Sequence, residues 1–257
     1  MNLFKPTAQI QWMFKRFGLR ITKVPKLNNP LPWDMDQEFL DIFRKSISFS
    51  MTSTANRYAL YQAIKYLVKH DIPGDIVECG VWRGGSSMIA ALTLVALGDT
   101  DRRIWLYDTY EGSTEPGEVD VRAYDGASAQ KTWKDWNESH DEKWISSPLE
   151  DVKANMASTG YPEEKFVYVQ GMVEDTIPGN TPSEIALLRL DTDWYQSTYH
   201  ELSHLFPTVS RNGVLIIDDY GWWKGSKAAT DQYFSELNVP VYLNRVDVSS
   251  RLVIKTT

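Results

Sequence analysis

The sequence has a single cysteine, Cys79, and therefore no internal disulfide. That cysteine lies in an apolar, strand-like run where a plain buried thiol is expected, and a reducing, cytoplasmic setting fits it. No segment approaches the roughly 20 apolar residues needed to span a bilayer. At the N-terminus, polar residues interrupt MNLFKPTAQIQWMFKRFGLR too early for a signal-peptide core. This arm reads as an amphipathic helix docking on the body or on a second subunit, with membrane-surface attachment the weaker alternative. A basic face is missing as well: the net charge is -7, which argues against a nucleic acid or an anionic membrane as partner. What is present is ordinary globular composition, 42% hydrophobic and 24% charged, over 257 residues, enough for one α/β domain with a full core. Ten tryptophans exceed what such a core needs, and some of them are expected on a binding surface.

From residue 55 onward, strand-like and helix-like patterns alternate. TANRYALYQAIKYLVKH places Tyr58, Tyr61, Ile64, Leu67 and Val68 at helical spacing, with Thr52 or Ser53 as N-cap and Pro73-Gly74 as the stop. DIVECGVW then reads as a buried strand, SSMIAALTLVAL as a helix and RIWLYDTY as a second strand. Between 111 and 147 the apolar period fails, and an irregular insert of that length is expected to be a lid or binding loop. Alternation resumes with a helix near 148–158, strands KFVYVQG and EIALLRLDTD, a helix at about 195–206, the strand GVLIIDDY and a helix at about 226–237. Two last runs, VYLNRVD and RLVIKT, suit a hairpin. The expected organisation is an arm over 1–50 and one domain over 51–257. Its fold is α/β, a mostly parallel Rossmann-like sheet with helices on both faces, and ligands in such sheets bind beyond the carboxyl ends of the strands.

Polar groups collect at those ends. The first strand leads into Glu78-Cys79-Gly80-Val81-Trp82-Arg83-Gly84-Gly85-Ser86, a glycine turn ahead of a helix N-terminus. It is not the dinucleotide fingerprint, because bulky Val81 and Trp82 follow Gly80. Glu78 would repel a pyrophosphate but would meet an ammonium favourably, which points to S-adenosylmethionine. Asp108 ends the second strand, where an acid can accept hydrogen bonds from ribose hydroxyls. Gly171, Glu174 and Asp175 follow the third, beside the expected adenine position. Asp191 and Asp193 end the fourth strand and Asp218-Asp219 the fifth. Converging carboxylates repel by several kcal/mol at protein-like dielectric, so a positive partner is expected there. Hard oxygen ligands without nearby His or Cys suit Mg²⁺, or Mn²⁺ or Ca²⁺. The alternative for single aspartates is helix capping.

The pieces PGDIVECGVWRGGSS, LYDTYEG, LRLDTDWYQST and GVLIIDDYG, with Gly225, Ala228 and Asp231 behind the last, resemble the macrocin O-methyltransferase family in order and spacing. Members of that family methylate deoxysugar hydroxyls in antibiotic biosynthesis. The resemblance implies a seven-stranded methyltransferase sheet with a reversed last strand. It implies that Glu78, Gly80, Val81, Trp82, Arg83 and Ser86, with Asp108, Thr109 and Ser113, bind S-adenosylmethionine, and that Met51 and Thr52 help to cover it. It further implies that Asp191, shared with the cofactor side, holds Mg²⁺ with Asp218 and Asp219, that Asp193 is the general base, and that the chain forms a homodimer or larger assembly. The insert has no match to the family pattern. Trp194, Tyr195, Trp222 and Trp223 are expected to wall the acceptor site, and His140 and His204 compete as bases.

The expected reaction is methylation of a small-molecule hydroxyl, with a sugar diol chelating the metal and Asp193 removing a proton. Alternatives are a phenol, catechol or peptide acceptor, a non-catalytic module with the same sheet, and a Mg²⁺-dependent phosphate enzyme. The last lacks a P-loop lysine pattern.

Overall fold

The computed structural model describes residues 34–256; the expected N-terminal arm helix lies outside them. The compact unit begins at Met35, earlier than the boundary near residue 50 expected from sequence. Helix α1 (Gln37–Ser46) explains the shift, because Phe39, Ile42 and Phe43 are buried in the body. Helix α2 (Thr54–Lys69) starts where Ser53 accepts a hydrogen bond from the Asn56 N–H. Strand β1 (Asp75–Cys79) follows, then α3 (Gly85–Leu97), which is apolar on every side and buried from Gly85 to Leu94.

The remaining strands are β2 (Ile104–Asp108), β3 (Phe166–Gln170), β4 (Ile185–Leu190), β5 (Val209–Ile217), β6 (Asn244–Arg245) and β7 (Arg251–Ile254). They form one seven-stranded sheet in the order β3-β2-β1-β4-β5-β7-β6. The first five are parallel, and β7 runs antiparallel to both β5 and β6. The expected closing hairpin is there, but β6 is only two residues long and exposed. It is an edge strand, and Pro240 upstream cannot donate to a ladder.

Register decides what converges. Glu78 pairs with Arg189 and Cys79 with Leu190, while Leu190 pairs with Ile217, so β1, β4 and β5 end level. The ladder continues one step past each end: the Asp191 N–H donates to the Cys79 carbonyl at 2.8 Å and the Asp218 N–H to the Leu190 carbonyl at 2.9 Å. Two remote acid-bearing loops are thereby held side by side. Beneath them, Val77, Leu188, Leu190, Leu215 and Ile217 form part of the buried core.

Helices α5 (Leu149–Ala157), α7 (Tyr195–Leu205) and α8 (Lys224–Leu237) match the sequence periodicity, and α6 (Val173–Thr176) is a single turn. The insert is not irregular throughout, since it contains α4 (Ala129–Ser139), capped by Ser128. Only Ala129 of that helix is buried, and its apolar residues at helical spacing, Ala129, Trp133 and Trp136, are too few to sustain a period. Among the described residues, no helix is long and apolar enough to cross a membrane.

Candidate active site

Strand order reverses between β1 and β4, and a cavity of about 470 Å³ opens beyond the carboxyl ends at that point. Gly80 makes the junction possible. Its φ is +82°, and a Cβ there would lie 2.1 Å from the Asp191 carbonyl oxygen, so any side chain would push the two loops apart. Trp82 also has a positive φ, +47°, which is costly for a bulky residue and marks a turn fixed by its surroundings. The N–H groups of Val81 and Trp82 donate to Asp108 Oδ2 at 2.7 and 2.9 Å, and the Tyr110 N–H donates to Oδ1 at 2.7 Å.

Asp191, Asp218 and Asp219 each offer a carboxylate oxygen, and the three lie within 4.8 Å of one another. Arg189 lies directly behind them, 1% exposed. Its Nη1 contacts Glu78 Oε1 at 2.8 Å and Asp191 Oδ2 at 2.7 Å, and Nη2 stands 3.2 Å from Asp218 Oδ2. That last contact lacks hydrogen-bond geometry, leaving Nη2 and Nε without hydrogen-bond partners. Burial works against the guanidinium charge, but Asp191, Asp218 and Glu78 hold it protonated above its ordinary range. Asn56 and Ser250 donate to Asp218 Oδ1. Asp219 Oδ2 is buried and receives no N–H or hydroxyl donor, while its carboxylate lies against those of Asp191 and Asp193. Burial pushes the Asp191 and Asp219 carboxyls well up, the neighbouring acids adding to it, with Arg189 pulling both back.

Asp193 stands beside this group with φ +70°, a left-handed conformation that aspartate tolerates. Trp223 Nε1–H donates to its Oδ1 at 2.9 Å. Burial pushes its pKa up to about 7, with Trp223 opposing and Asp218 adding to the rise.

The cavity lining brings together most of the residues singled out from sequence: Met51, Thr52, Glu78, Gly80, Val81, Trp82, Ser86, Asp108, Thr109, Ser113, Gly171, Glu174, Asp191, Asp193, Asp218 and Asp219. Two do not line it. Arg83 turns outward, donating to the Ser48 carbonyl at 3.0 Å and resting over Phe49, because the turn between Trp82 and Gly84 faces it away. Asp175 is exposed on the outer side of the one-turn α6. His140 stacks on Trp136 in solvent, and His204 packs along α7 against the His200 carbonyl; neither lines the cavity. Trp194 and Tyr195 are not in the wall either. Trp194 is buried behind it against Trp144 and Trp223, and Trp144, Trp222 and Trp223 form the lining.

Two environments differ from expectation. Glu78 faces the Arg189 guanidinium and accepts from Ser87, so its charge is met within the protein. Asp108 accepts three backbone N–H groups, Val81 and Trp82 on Oδ2 and Tyr110 on Oδ1, so this carboxylate also fixes the turn after β1. Arg189, Asn56 and the Trp223–Asp193 contact were not anticipated from sequence. The available signal was an arginine two positions before Asp191 in an otherwise apolar strand, which puts both side chains on one face. Among the described residues lining the cavity, none is Lys, Arg or His.

A seven-stranded sheet of this order with a reversed β7, and a cavity at the switch point floored by acids, define a Rossmann-like methyltransferase. The chain belongs to the macrocin O-methyltransferase (TylF) family, whose profile matches residues 6–253. It is similar to the 8-demethyl-8-(2,3-dimethoxy-alpha-L-rhamnosyl)-tetracenomycin-C 4'-O-methyltransferase of Streptomyces olivaceus, at 35% identity over 187 residues, 73% of this chain and 68% of that one. Similarity to the demethyldecarbamoylnovobiocin O-methyltransferase of Streptomyces niveus is 30% over 186 residues, 72% of this chain and 68% of that one. The solved structure of the O-methyltransferase NovP aligns with a TM-score of 0.71 at 28% identity, covering 81% of this chain and 83% of its own. The protein is accordingly an S-adenosylmethionine-dependent O-methyltransferase.

Proposed function

We propose that the protein methylates a hydroxyl of a sugar carried on a natural product, with Mg²⁺ held by Asp191, Asp218 and Asp219 and with Asp193 as the base. The observation that carries the reading is the three-carboxylate group with Asp193 beside it on the floor of one cavity. A divalent cation fits these residues. The donors are all oxygens, and the buried Asp219 Oδ2 receives no N–H or hydroxyl donor, which costs about 1–3 kcal/mol unless something binds it. The sugar acceptor is supported by the Streptomyces olivaceus relative, whose name gives a rhamnosyl-tetracenomycin as its acceptor. A lining without Lys, Arg or His favours an acceptor without phosphate, and indoles at Trp144, Trp222 and Trp223 suit the apolar C–H face of a sugar ring.

S-adenosylmethionine supplies an electrophilic methyl group, and Mg²⁺ when bound lowers the pKa of a nearby hydroxyl. The chain's own residues do the rest. The turn from Gly80 to Ser86, with Met51 and Thr52 over it, places the cofactor beyond β1. Trp223 holds the Asp193 carboxylate through Oδ1, and that carboxylate, part of the cavity lining, takes the hydroxyl proton. S-adenosylmethionine bound there would supply the methyl group and leave as S-adenosylhomocysteine, while the chain's own gain comes chiefly from orienting the acceptor oxygen. A homodimer or larger assembly is part of the same proposal and is tested by light scattering.

The reading is tested by methyl-transfer assays on glycosylated and catecholic acceptors, with Mg²⁺ and after EDTA treatment with metal-free dialysis. Transfer to the glycoside, lost on metal removal, is the expected result. Activity surviving metal removal would refute the Mg²⁺ assignment, and transfer confined to catechols would refute the sugar.

A further inference from the structure

We propose that Asp120, in the insert, is a positioning residue that fixes the loop carrying Asp193, and that Gly225 is the seat that admits it. The inference rests on Asp193 being the base, but its test does not depend on turnover.

Asp120 is 2% exposed, whereas its neighbour Val119 is 54% exposed. In a polar insert, one carboxylate has been driven inward. Its Oδ1 accepts the Tyr195 N–H at 2.9 Å, and Tyr195 is the first residue of α7. The helix's own N-cap, Trp194, has no side-chain acceptor to offer. Asp120 therefore caps α7 from far away in sequence, where its charge also meets the positive end of the helix dipole. Oδ2 accepts the Gly117 N–H at 2.8 Å, and the Asp120 carbonyl accepts the Ala129 N–H at 3.0 Å, so the same residue sets the fold of the insert on both sides.

Gly225, in the first turn of α8, lies directly against it. A Cβ at Gly225 would fall 1.7 Å from Asp120 Oδ1 and 3.1 Å from the Tyr195 nitrogen. Glycine is a poor helix residue, and here space requires it. The insert also grips the second loop beside Asp193. Arg122 bridges to Trp223, the Lys224 N–H donates to the Val121 carbonyl at 2.9 Å and the Ala123 N–H to the Trp222 carbonyl at 2.8 Å. Asp193, in its left-handed conformation, is held between the capped α7 loop on one side and the Trp223 indole on the other. Such a conformation persists only when its surroundings over-determine it.

The test follows the Trp223 indole N–H resonance, assigned by its disappearance in Trp223→Phe, together with amide exchange at Tyr195 and calorimetric S-adenosylhomocysteine binding. Asp120→Ala is expected to move that resonance toward free indole and to speed Tyr195 exchange by about fivefold or more, the size of a lost cap. Cofactor affinity should stay within about twofold. Gly225→Ala should produce the same changes while leaving Asp120 in the sequence. In Asp120→Ala/Gly225→Ala the second substitution should add almost nothing, because the seat is then empty. Asp120→Asn keeps one acceptor and should fall between, which also decides the matter if Asp120→Ala does not fold. An unmoved Trp223 resonance in a folded Asp120 variant, or additive effects in the double variant, would overturn the proposal. Full turnover by Asp193→Asn would instead remove the base reading and leave the positioning result standing.

Discussion

Arg189 and Asp191 stand two positions apart at the end of β4, and the guanidinium Nη1 meets the Asp191 carboxylate at 2.7 Å. The positive partner that crowded acids require is thus supplied first by the protein itself. One guanidinium faces Glu78, Asp191 and Asp218 together, and Asp219 adds a further acid to the same floor. Burial raises the Asp191 and Asp219 carboxyls, so a divalent ion bound here would take the place of the protons they hold.

Replacing Arg189 with Met should destabilise the metal-free protein by about 3–5 kcal/mol, because it leaves buried acids without their counter-ion. Added Mg²⁺ should then raise the melting temperature of Arg189→Met more than that of the parent chain. Thermal unfolding with and without Mg²⁺ checks this; equal increments would show that Arg189 does not share the floor with the ion.

Asp193→Asn should lower methyl transfer by about 10²–10⁴-fold, the usual contribution of a positioned base. S-adenosylhomocysteine binding, followed by calorimetry, should be unchanged. Undiminished turnover removes Asp193 from proton transfer.

Asp219→Asn should weaken Mn²⁺ binding, measured by electron paramagnetic resonance, by about tenfold or more, since a charged ligand becomes neutral. Asp175→Asn, on the exposed side of α6, should bind Mn²⁺ as the parent does. Equal loss in both would make the effect one of overall charge.

Glu201 gives a pH prediction away from the proposed metal. It is fully buried, Thr192 donates to Oε1 at 2.9 Å, and Oε2 has no partner. Burial pushes its pKa well above 4.5, with Thr192 opposing. The folded state therefore holds this proton more tightly than the unfolded chain, and stability falls as pH rises from the ordinary glutamate value toward the folded one. Glu201→Gln does not titrate, so it should gain on the parent as pH rises from acidic to mildly basic, read by urea unfolding. Parallel pH profiles would contradict the assignment.

Much of the site was legible because strand ends are legible. Continuous apolar runs in DIVEC, IALLRL and VLII located β1, β4 and β5, and the acids immediately after each run had to meet at one edge of a parallel sheet. Register, which brings Asp191 level with Asp218, comes from packing between strands and is written in no local pattern. The same limit hid the Arg189 contacts and turned Arg83 the wrong way, since a turn of alternating positive φ decides the direction of its side chain. Helix α4 was missed because its one apolar face, Ala129, Trp133 and Trp136, is only three residues set among polar ones. Asp120 looked like one more acid in a charged loop, and only the space beside Gly225 reveals its burial.

The contact between Gly80 and the Asp191 carbonyl has a consequence for how this chain can drift over generations. Position 80 has no side chain to take part in the chemistry, yet any replacement there displaces the backbone that bears Asp191. Inheritance is constrained at this point by room between two main chains, and a mutational scan would find position 80 as closed to change as the acids it serves.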